Sequence, residues 1–188
     1  NEVFENNAEL KKLADDTKPV NWAPTEPSVI YNAMLHPLVN YNIAGAIWYQ
    51  GEGNTGEPQN YGKLFEGLIK GWRKAFDKEF PFYFVQIAPW NGYWKNSAAY
   101  LREQQASVLS LPKTGMISVG DLVDNISDIH PRIKKEVGNR LVNMALKEHY
   151  GVEGLQPYFP KYQSSTIKKN KVNIRVQSIG KLSSKAKT

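Results

Sequence analysis

Short apolar segments alternate with longer amphipathic segments, and this alternation constrains the fold more than any other feature of the chain. Three apolar runs have the length of buried strands and span residues 43–49, 82–88 and 115–123. Four segments have the helical spacing of apolar residues, namely 28–38, 60–76, 99–110 and the segment from Pro131 to near Gly151. Strands that alternate with helices predict an α/β fold in which helices cover both faces of a mainly parallel sheet.

The two ends of the chain differ in composition from its middle. Residues 1–27 are polar and interrupted by prolines, which predicts a connecting arm. The segment from residue 161 to the end contains eight Lys or Arg and no Asp or Glu, which leaves 16 basic and 18 acidic residues before it. Residues 1–160 therefore carry a net charge of about −2 and are not basic, and we expect no nucleic-acid partner. Residues 156–188 are predicted to be a linker or the first strand of a β-rich domain.

Several classes of protein and site are excluded by what the sequence lacks. No apolar stretch approaches the length of a membrane span, and the first residues are not a basic start followed by an apolar run. We therefore expect no membrane partner, and no signal peptide is visible. The absence of cysteine removes disulfides, thiolate metal sites and cysteine nucleophiles. No H-E-x-x-H motif is present, and we expect neither a catalytic metal nor another cofactor.

Polar and aromatic side chains are concentrated in the loops that follow the three predicted strands. In parallel sheets, ligands meet the loops beyond the carboxyl ends of the strands. The three loops contain Gln50, Gly51, Glu52 and Asn54; Gln86, Trp90 and Trp94; and Asp121, Asp124, Asp128 and His130. Two tryptophans near a polar pocket suit a sugar ring, although tryptophans more often cap a hydrophobic core.

His130 is the candidate general base among the three histidines of the chain. His36 precedes Pro37 within a helical segment and His149 ends a long helix, so both are interpreted as structural. His130 lies in a loop after a strand, and Asp128 precedes it by two residues. A carboxylate that binds one ring nitrogen fixes the tautomer and leaves the other nitrogen to take a proton from a nucleophile. On spacing alone, catalysis and a structural pair are equally good interpretations.

No serine of the sequence stands where a nucleophile is expected. There is no G-x-S-x-G motif, Ser118 is inside a predicted strand and Ser107 is inside a predicted helix. The predicted site is therefore incomplete within this chain.

Five segments of the sequence are specific enough to compare with known families. They are PSVIYNAML from residue 27, GAIWYQGEGN from 45, FPFYFVQIAPW from 80, LREQQ from 101 and DIHPRIKKEVGNRL from 128. In this order they resemble the sialate O-acetylesterase group of SGNH hydrolases, which is related to acetylxylan esterases. The resemblance implies a three-layer α/β/α sandwich, incomplete at the N-terminus, of which residues 28–155 form the C-terminal part. It also implies removal of acetyl groups from sugar hydroxyls through an acyl-serine, with the serine in an early G-Q-S-N segment that this sequence does not contain.

The resemblance also implies roles for individual residues. His130 matches the base and Asp128 its orienting carboxylate, with Asp121 and Asp124 as alternatives because SGNH enzymes usually place the carboxylate three positions before the histidine. Gln50, Gly51, Glu52 and Asn54 match the segment that lines the site near the oxyanion hole. For Glu52, an acidic group near an oxyanion, a structural role that holds this loop against its neighbour is the better interpretation. Trp90 and Arg102 are candidate substrate contacts.

The sequence thus predicts part of a carbohydrate esterase that removes O-acetyl groups from sialic acid or similar sugars. The expected partners are an acetylated glycan and the remainder of the same protein, which carries the serine, so the chain alone is expected to be inactive. An acetylxylan esterase and a non-catalytic carbohydrate-binding relative are the alternatives. The resemblance further implies a secreted or periplasmic protein.

Overall fold

The computed structural model describes residues 28–177, which divide into two units between Tyr41 and Asn42. In the first unit, two short helical turns comprise Tyr31–Leu35 and His36–Leu38. The chain is helical without a break from residue 29 to residue 38, as predicted for this segment, but its hydrogen-bond pattern changes from π-helical to 3₁₀, and Pro37, which has no N–H to donate, lies at the start of the 3₁₀ part. The predicted connecting arm, residues 1–27, lies outside the described residues.

The second unit is built on a parallel three-stranded sheet. Its strands are β1 (Ala46–Trp48), β2 (Phe82–Val85) and β3 (Thr114–Ile117), in the order β1-β2-β3. Its helices are α1 (Tyr61–Ala75), α2 (Ser97–Ser107) and α3 (Lys134–Glu148). Short 3₁₀ turns span Glu52–Gly56, Pro58–Asn60, Val108–Ser110 and Gly120–Leu122. The predicted alternation of strands and helices around a parallel sheet is confirmed.

The central strand β2 sends alternate side chains into two separate cores. Phe82 and Phe84 pack on one face of the sheet with residues of α1 and α2. Tyr83 and Val85 pack on the other face with residues of α3. Successive side chains of a strand point to opposite faces, so a strand covered on both sides needs a continuous apolar run. The three-layer α/β/α arrangement is therefore confirmed.

The prediction of a buried strand over residues 43–49 is wrong in its bounds and its burial, because β1 spans Ala46–Trp48 and is partly exposed. Trp48 packs against Phe65 and Trp72 on the α1 face, but the side chain of Ile47 is 69% exposed. Within the described residues β1 pairs only with β2, and it is an edge strand of their sheet. Its apolar composition matches a two-sided strand, whereas only its α1 face is covered by the described residues.

Strand β3 ends earlier than the prediction of a strand over residues 115–123. It stops at Ile117, and Gly120–Leu122 forms a 3₁₀ turn instead. Arg140 of α3 donates hydrogen bonds to the Ser118 carbonyl and to the Asp121 carboxylate, which hold the chain in this turn. The carbonyl of Ser118 thus bonds to a helix side chain instead of a neighbouring strand.

The C-terminal part of the described chain is an antiparallel hairpin of β4 (Lys161–Lys168) and β5 (Lys171–Gln177). All residues of both strands are exposed. The boundary at residue 156 and the start of a β-rich domain stay predictions. Within residues 28–177, no helix has the length and apolar character that crossing a membrane requires.

Candidate active site

The three loops selected from the sequence lie at one edge of the sheet. Strands β1, β2 and β3 are parallel, so their carboxyl ends at Trp48, Val85 and Ile117 face the same side. Two clefts open among these loops, and a third, smaller one lies on the α1 side of the loop after β1. Each cleft contains some of the predicted site residues.

His130 lies in a cleft of about 250 Å³ that we call the histidine cleft, lined by Tyr49, Glu52, Ile129, His130, Pro131 and Lys134. The His130 side chain is 87% exposed, so its ring is accessible to a substrate or to another protein segment. The Glu52 carboxylate accepts no hydrogen bond from residues 28–177, and the loop-holding role considered for Glu52 is not observed in this part of the chain. Lys134 covers the Tyr49 ring, with its ammonium 4.6 Å from the ring centre.

Asp128 is held beside His130 by a local turn. The backbone N–H of His130 donates to Asp128 Oδ1 at 2.9 Å, and His130 Nδ1 lies 3.5 Å from the same oxygen. Arg132 Nη2 lies 3.8 Å from Asp128 Oδ2. An ordinary hydrogen bond is shorter than 3.5 Å, but catalytic contacts are often loose without substrate. A carboxylate next to Nδ1 leaves Nε2 available to accept a proton.

Asp121 holds the loop after β3 against helix α3. Arg140 donates to both of its carboxylate oxygens, at 2.8 and 2.6 Å, and these hydrogen bonds raise the pKa of the arginine. Asp124 is exposed. Of the three carboxylates considered as orienting groups, Asp128 is the one with a contact to His130 in the described residues. Which of them orients the histidine during a reaction stays a prediction.

Gln50 and Asn54 do not line the histidine cleft. Gln50 Nε2 donates to Asn54 Oδ1 at 2.7 Å, and both residues line the small cleft of about 90 Å³ beside Tyr61. Tyr61 Oη lies 3.1 Å from the Gln50 carbonyl and 3.3 Å from its side-chain oxygen. Glu52 thus lies in the histidine cleft, whereas Gln50 and Asn54 lie on the side of α1. Their predicted place near an oxyanion hole stays a prediction.

Gly51 lets the loop after β1 turn closely over the second strand. Its φ is 150°, and a Cβ atom there would lie 2.8 Å from Ile87 Cγ2 and 3.0 Å from Leu101 Cδ2. Only glycine adopts such a conformation readily and fits this space. The close packing positions the next residue, Glu52, in the histidine cleft.

Gln105 joins the loops after β1 and β2 to helix α2. Its side chain is fully buried, with 0% exposure. Its Oε1 accepts a hydrogen bond from the Ile87 N–H at 2.9 Å, and its Nε2 donates to the carbonyls of Val85 and Gln50 at 3.2 and 3.3 Å. One amide therefore bonds two buried backbone groups and one partly buried one, and it sets the position of both loops.

The loop after β2 and helix α2 line a cleft of about 320 Å³ that we call the arginine cleft. Its lining includes Trp90, Tyr93, Lys95, Arg102 and Ile126. The rings of Trp90 and Tyr93 meet edge to face at 5.1 Å. Arg102 Nε donates to the Ile87 carbonyl at 3.0 Å, and burial lowers the pKa of its guanidinium. Trp90 and Arg102, both predicted as substrate contacts, thus share one cleft.

The hydroxyl of Tyr93 is close to charged groups from both clefts. Burial, with a smaller contribution from the Glu52 carboxylate, raises the pKa of Tyr93 to about 12, and the Arg102 guanidinium opposes the shift. The hydroxyl is buried and has no hydrogen-bond partner within residues 28–177, as is also true of the Tyr49 hydroxyl. Two unpaired phenols at neighbouring clefts are suited to bind the hydroxyl or carbonyl groups of a ligand. No group of side chains suited to hold a metal ion occurs in the described part of the chain.

The raised pKa of Tyr93 predicts a loss of stability in alkali. Between about pH 10 and pH 12, Tyr93 ionises in the unfolded chain but keeps its proton in the native one, so the free energy of unfolding falls as the pH rises. We expect this fall to be smaller in Tyr93→Phe, as measured by urea unfolding at pH 7, 10 and 11. At pH 7 the variant should be at least as stable, because an unpaired buried hydroxyl is removed.

A matched control for this effect is Tyr150→Phe, which removes a tyrosine that is 62% exposed. It should keep the pH dependence of the wild-type protein. Equal pH dependence in wild type and Tyr93→Phe would contradict the burial of the Tyr93 hydroxyl.

Tyr49, Tyr93, Lys134 and Gln105 are site residues that were not selected from the sequence. Tyr49 and Tyr93 could have been found, because Tyr49 is the last residue of a predicted strand and Tyr93 lies in the loop that follows the next one. Lys134 could not, since it lies on a helix and reaches the cleft only in the folded chain. Gln105 resembles any polar residue on an amphipathic helix, and its burial depends on contacts with distant loops.

Comparisons with known proteins agree with this architecture. Residues 12–147 match the family described as carbohydrate esterase, sialic acid-specific acetylesterase. The sialate O-acetylesterases of mouse and human are 37% and 34% identical to the chain, over 70% of it. The chain covers 28% and 29% of the lengths of these two proteins. A carbohydrate acetylesterase from Xanthomonas citri superposes with a TM-score of 0.72 at 35% identity, over 80% of this chain and 36% of that one.

The family match covers more than half of the chain, and the structural match covers 80% of it. The resemblance recognised from the segments around Trp48 and His130 is therefore confirmed. The chain belongs to the carbohydrate esterase family of sialic acid-specific acetylesterases.

Proposed function

We propose that this chain supplies the general base and the substrate clefts of a carbohydrate O-acetylesterase, whose serine nucleophile comes from a segment outside these 188 residues. The observation that carries the proposal is the histidine cleft. In it an exposed imidazole lies at the carboxyl edge of a parallel sheet with a carboxylate 3.5 Å from its Nδ1. Family membership and a sialate O-acetylesterase at 37% identity support the reaction class.

The nucleophile is proposed to lie elsewhere because none is found near His130. Within residues 28–177, no serine or threonine hydroxyl is hydrogen-bonded to the His130 ring. The hydroxyl of Ser127, the serine nearest in sequence, accepts a hydrogen bond from Asn91 Nδ2 at 3.0 Å. An exposed ring with a free Nε2 is what a second segment bearing a serine requires.

The proposed reaction proceeds in two steps. His130 Nε2 takes the proton of the serine hydroxyl as the oxygen attacks the acetyl carbonyl, and it returns that proton to the departing sugar oxygen. An acetyl-serine and a free sugar hydroxyl result. Water then attacks the acetyl-serine, with His130 accepting its proton and passing it to the serine, which releases acetate. Asp128 stabilises the imidazolium form in both steps, and Glu52 adds negative charge at the same cleft.

Acetylated sialic acid is the proposed substrate, and acetylated xylan is the alternative. The aromatic wall of the arginine cleft suits a sugar ring, which has an apolar face and polar edges. Export from the cytoplasm stays a prediction from the resemblance.

The proposal is tested by measuring hydrolysis of 4-nitrophenyl acetate and of O-acetylated sialic acid. We expect no turnover above background by the 188-residue chain alone. The same chain joined to the natural segment that precedes it should hydrolyse both esters, because the serine and His130 are then present together.

Two results would overturn the proposal. Hydrolysis by the chain alone would show that the nucleophile lies within it. An inactive joined protein that still binds sugar would favour the non-catalytic carbohydrate-binding alternative.

A further inference from the structure

Arg102 is a half-buried cation without an anionic partner within residues 28–177. Its Nε donates to the Ile87 carbonyl, and neither of its terminal nitrogens donates a hydrogen bond to a group in that part of the chain. Every other arginine of the described second unit except Arg175 has a carboxylate within 4 Å. Burial of a guanidinium without a paired anion costs free energy, which a bound carboxylate would offset. The free face of Arg102 is turned to the arginine cleft.

The rest of the arginine cleft suits a sugar that carries this anion. Trp90 and Tyr93 form an aromatic wall, and the Tyr93 hydroxyl is buried without a hydrogen-bond partner among the described residues. Gly92 allows the indole to fold over the backbone, because a Cβ atom at that position would lie 2.2 Å from the Trp90 ring. An apolar wall, a phenol and a guanidinium together match a ring with polar edges and a carboxylate.

The arginine cleft is tied directly to the loop that carries Asp128 and His130. Trp90 Nε1 donates to the Ser127 carbonyl at 3.2 Å, and Asn91 Nδ2 donates to Ser127 Oγ at 3.0 Å. The backbone N–H of Asn91 donates to the Ile126 carbonyl at 2.9 Å. The Glu52 carboxylate of the histidine cleft raises the pKa of Tyr93, and the Arg102 guanidinium lowers it. These hydrogen bonds connect the loop that lines the arginine cleft to the loop that carries His130.

We propose that Arg102 and the Tyr93 hydroxyl bind the carboxylate of an acidic sugar in the arginine cleft. The inference rests on the proposed function, because it assigns that carboxylate to the acetylated sugar whose ester the histidine cleft hydrolyses. Arg102 is then the residue that distinguishes acidic sugars from neutral ones. Acetylated xylan, which lacks a carboxylate at the ester-bearing sugar, would not use this contact.

The test is the binding of N-acetylneuraminate and of its methyl ester to the 188-residue chain, measured by isothermal titration calorimetry. The ester keeps the sugar ring and removes only the charge of the carboxylate. We expect the acid to bind about 10-fold to 100-fold more tightly than the ester, the range for a charge-assisted hydrogen-bonded pair. Arg102→Gln should bind the acid at least about 10-fold more weakly and lose the preference over the ester. Arg102→Lys keeps the positive charge but loses the planar pair of donors of the guanidinium, so it should retain part of the preference for the acid over the ester.

Lys95→Gln is the matched control, since it removes a positive charge from the rim of the same cleft. The Lys95 ammonium lies 4.2 Å from the Trp94 ring centre, so we expect its loss to change binding less than about 3-fold. Equal losses in Lys95→Gln and Arg102→Gln would indicate general attraction by charge and overturn the proposal.

Two further results would also overturn it, namely equal binding of acid and ester to the wild-type chain, or no measurable binding of either. Because no variant is involved, this comparison does not depend on whether Arg102→Gln folds. The proposed function fails separately, through loss of 4-nitrophenyl acetate hydrolysis by the joined protein, since that ester has no carboxylate and no sugar.

Discussion

His130→Ala is expected to lower kcat for ester hydrolysis by about 10⁴-fold or more in the protein that joins this chain to its preceding segment. The imidazole is the proposed carrier of the proton in both steps, and no other histidine lines either cleft in the described residues. The side chain is 87% exposed, so its removal should leave the free energy of unfolding unchanged within about 0.5 kcal/mol. The measurements are steady-state hydrolysis of 4-nitrophenyl acetate and urea unfolding.

A matched control for His130→Ala is His149→Ala. His149 follows the last residue of α3, its ring meets that of Tyr150 edge to face at 4.7 Å, and it lines none of the three clefts. We expect it to keep wild-type activity. Full activity in His130→Ala would refute the assignment of the base, and equal losses in the two variants would indicate a general effect on folding.

The order of the elements could be predicted from the sequence because each apolar run is continuous and each helix is periodic. Strand β2 is the best example: all four of its residues are buried, and the run that predicted it includes them. Strand β1 was predicted with the wrong burial because an apolar run does not tell how many neighbours the strand has. Ile47 is as apolar as Val85, yet its side chain is exposed at the edge of the described sheet.

The candidate site was predictable to the level of loops and not to the level of clefts. The rule that ligands meet the carboxyl ends of parallel strands selected the loops of Glu52, Trp90 and His130. The rule could not assign the residues of these loops to separate clefts, because a short loop such as 50–54 sends side chains in several directions. Gln50 and Asn54 turn toward Tyr61, while Glu52 turns toward His130. Such divisions depend on tertiary hydrogen bonds that leave no pattern in the sequence.

Gln105→Leu is expected to lower the free energy of unfolding by about 3 kcal/mol. Leucine has a similar volume but leaves the Ile87 N–H and the Val85 carbonyl without their side-chain partner in a site of 0% exposure, while the Gln50 carbonyl keeps only its contact with Tyr61 Oη. A buried polar group without a hydrogen-bond partner is destabilising, because the free energy of its removal from water is no longer offset. For a domain of this size we expect the melting temperature to fall by about 6–12 °C.

Gln104→Leu provides the control, because it makes the same substitution at the neighbouring position of α2. The Gln104 side chain is half-buried and makes no hydrogen bond within the described residues, so we expect a change within about 0.5 kcal/mol.

Gln105→Leu should also weaken sugar binding in the arginine cleft, since Ile87 accepts the Arg102 hydrogen bond through its carbonyl and donates to Gln105 through its N–H. Equal stability of the two leucine variants would mean that Gln105 does not hold the loops together, and the positions of both clefts would then need another cause.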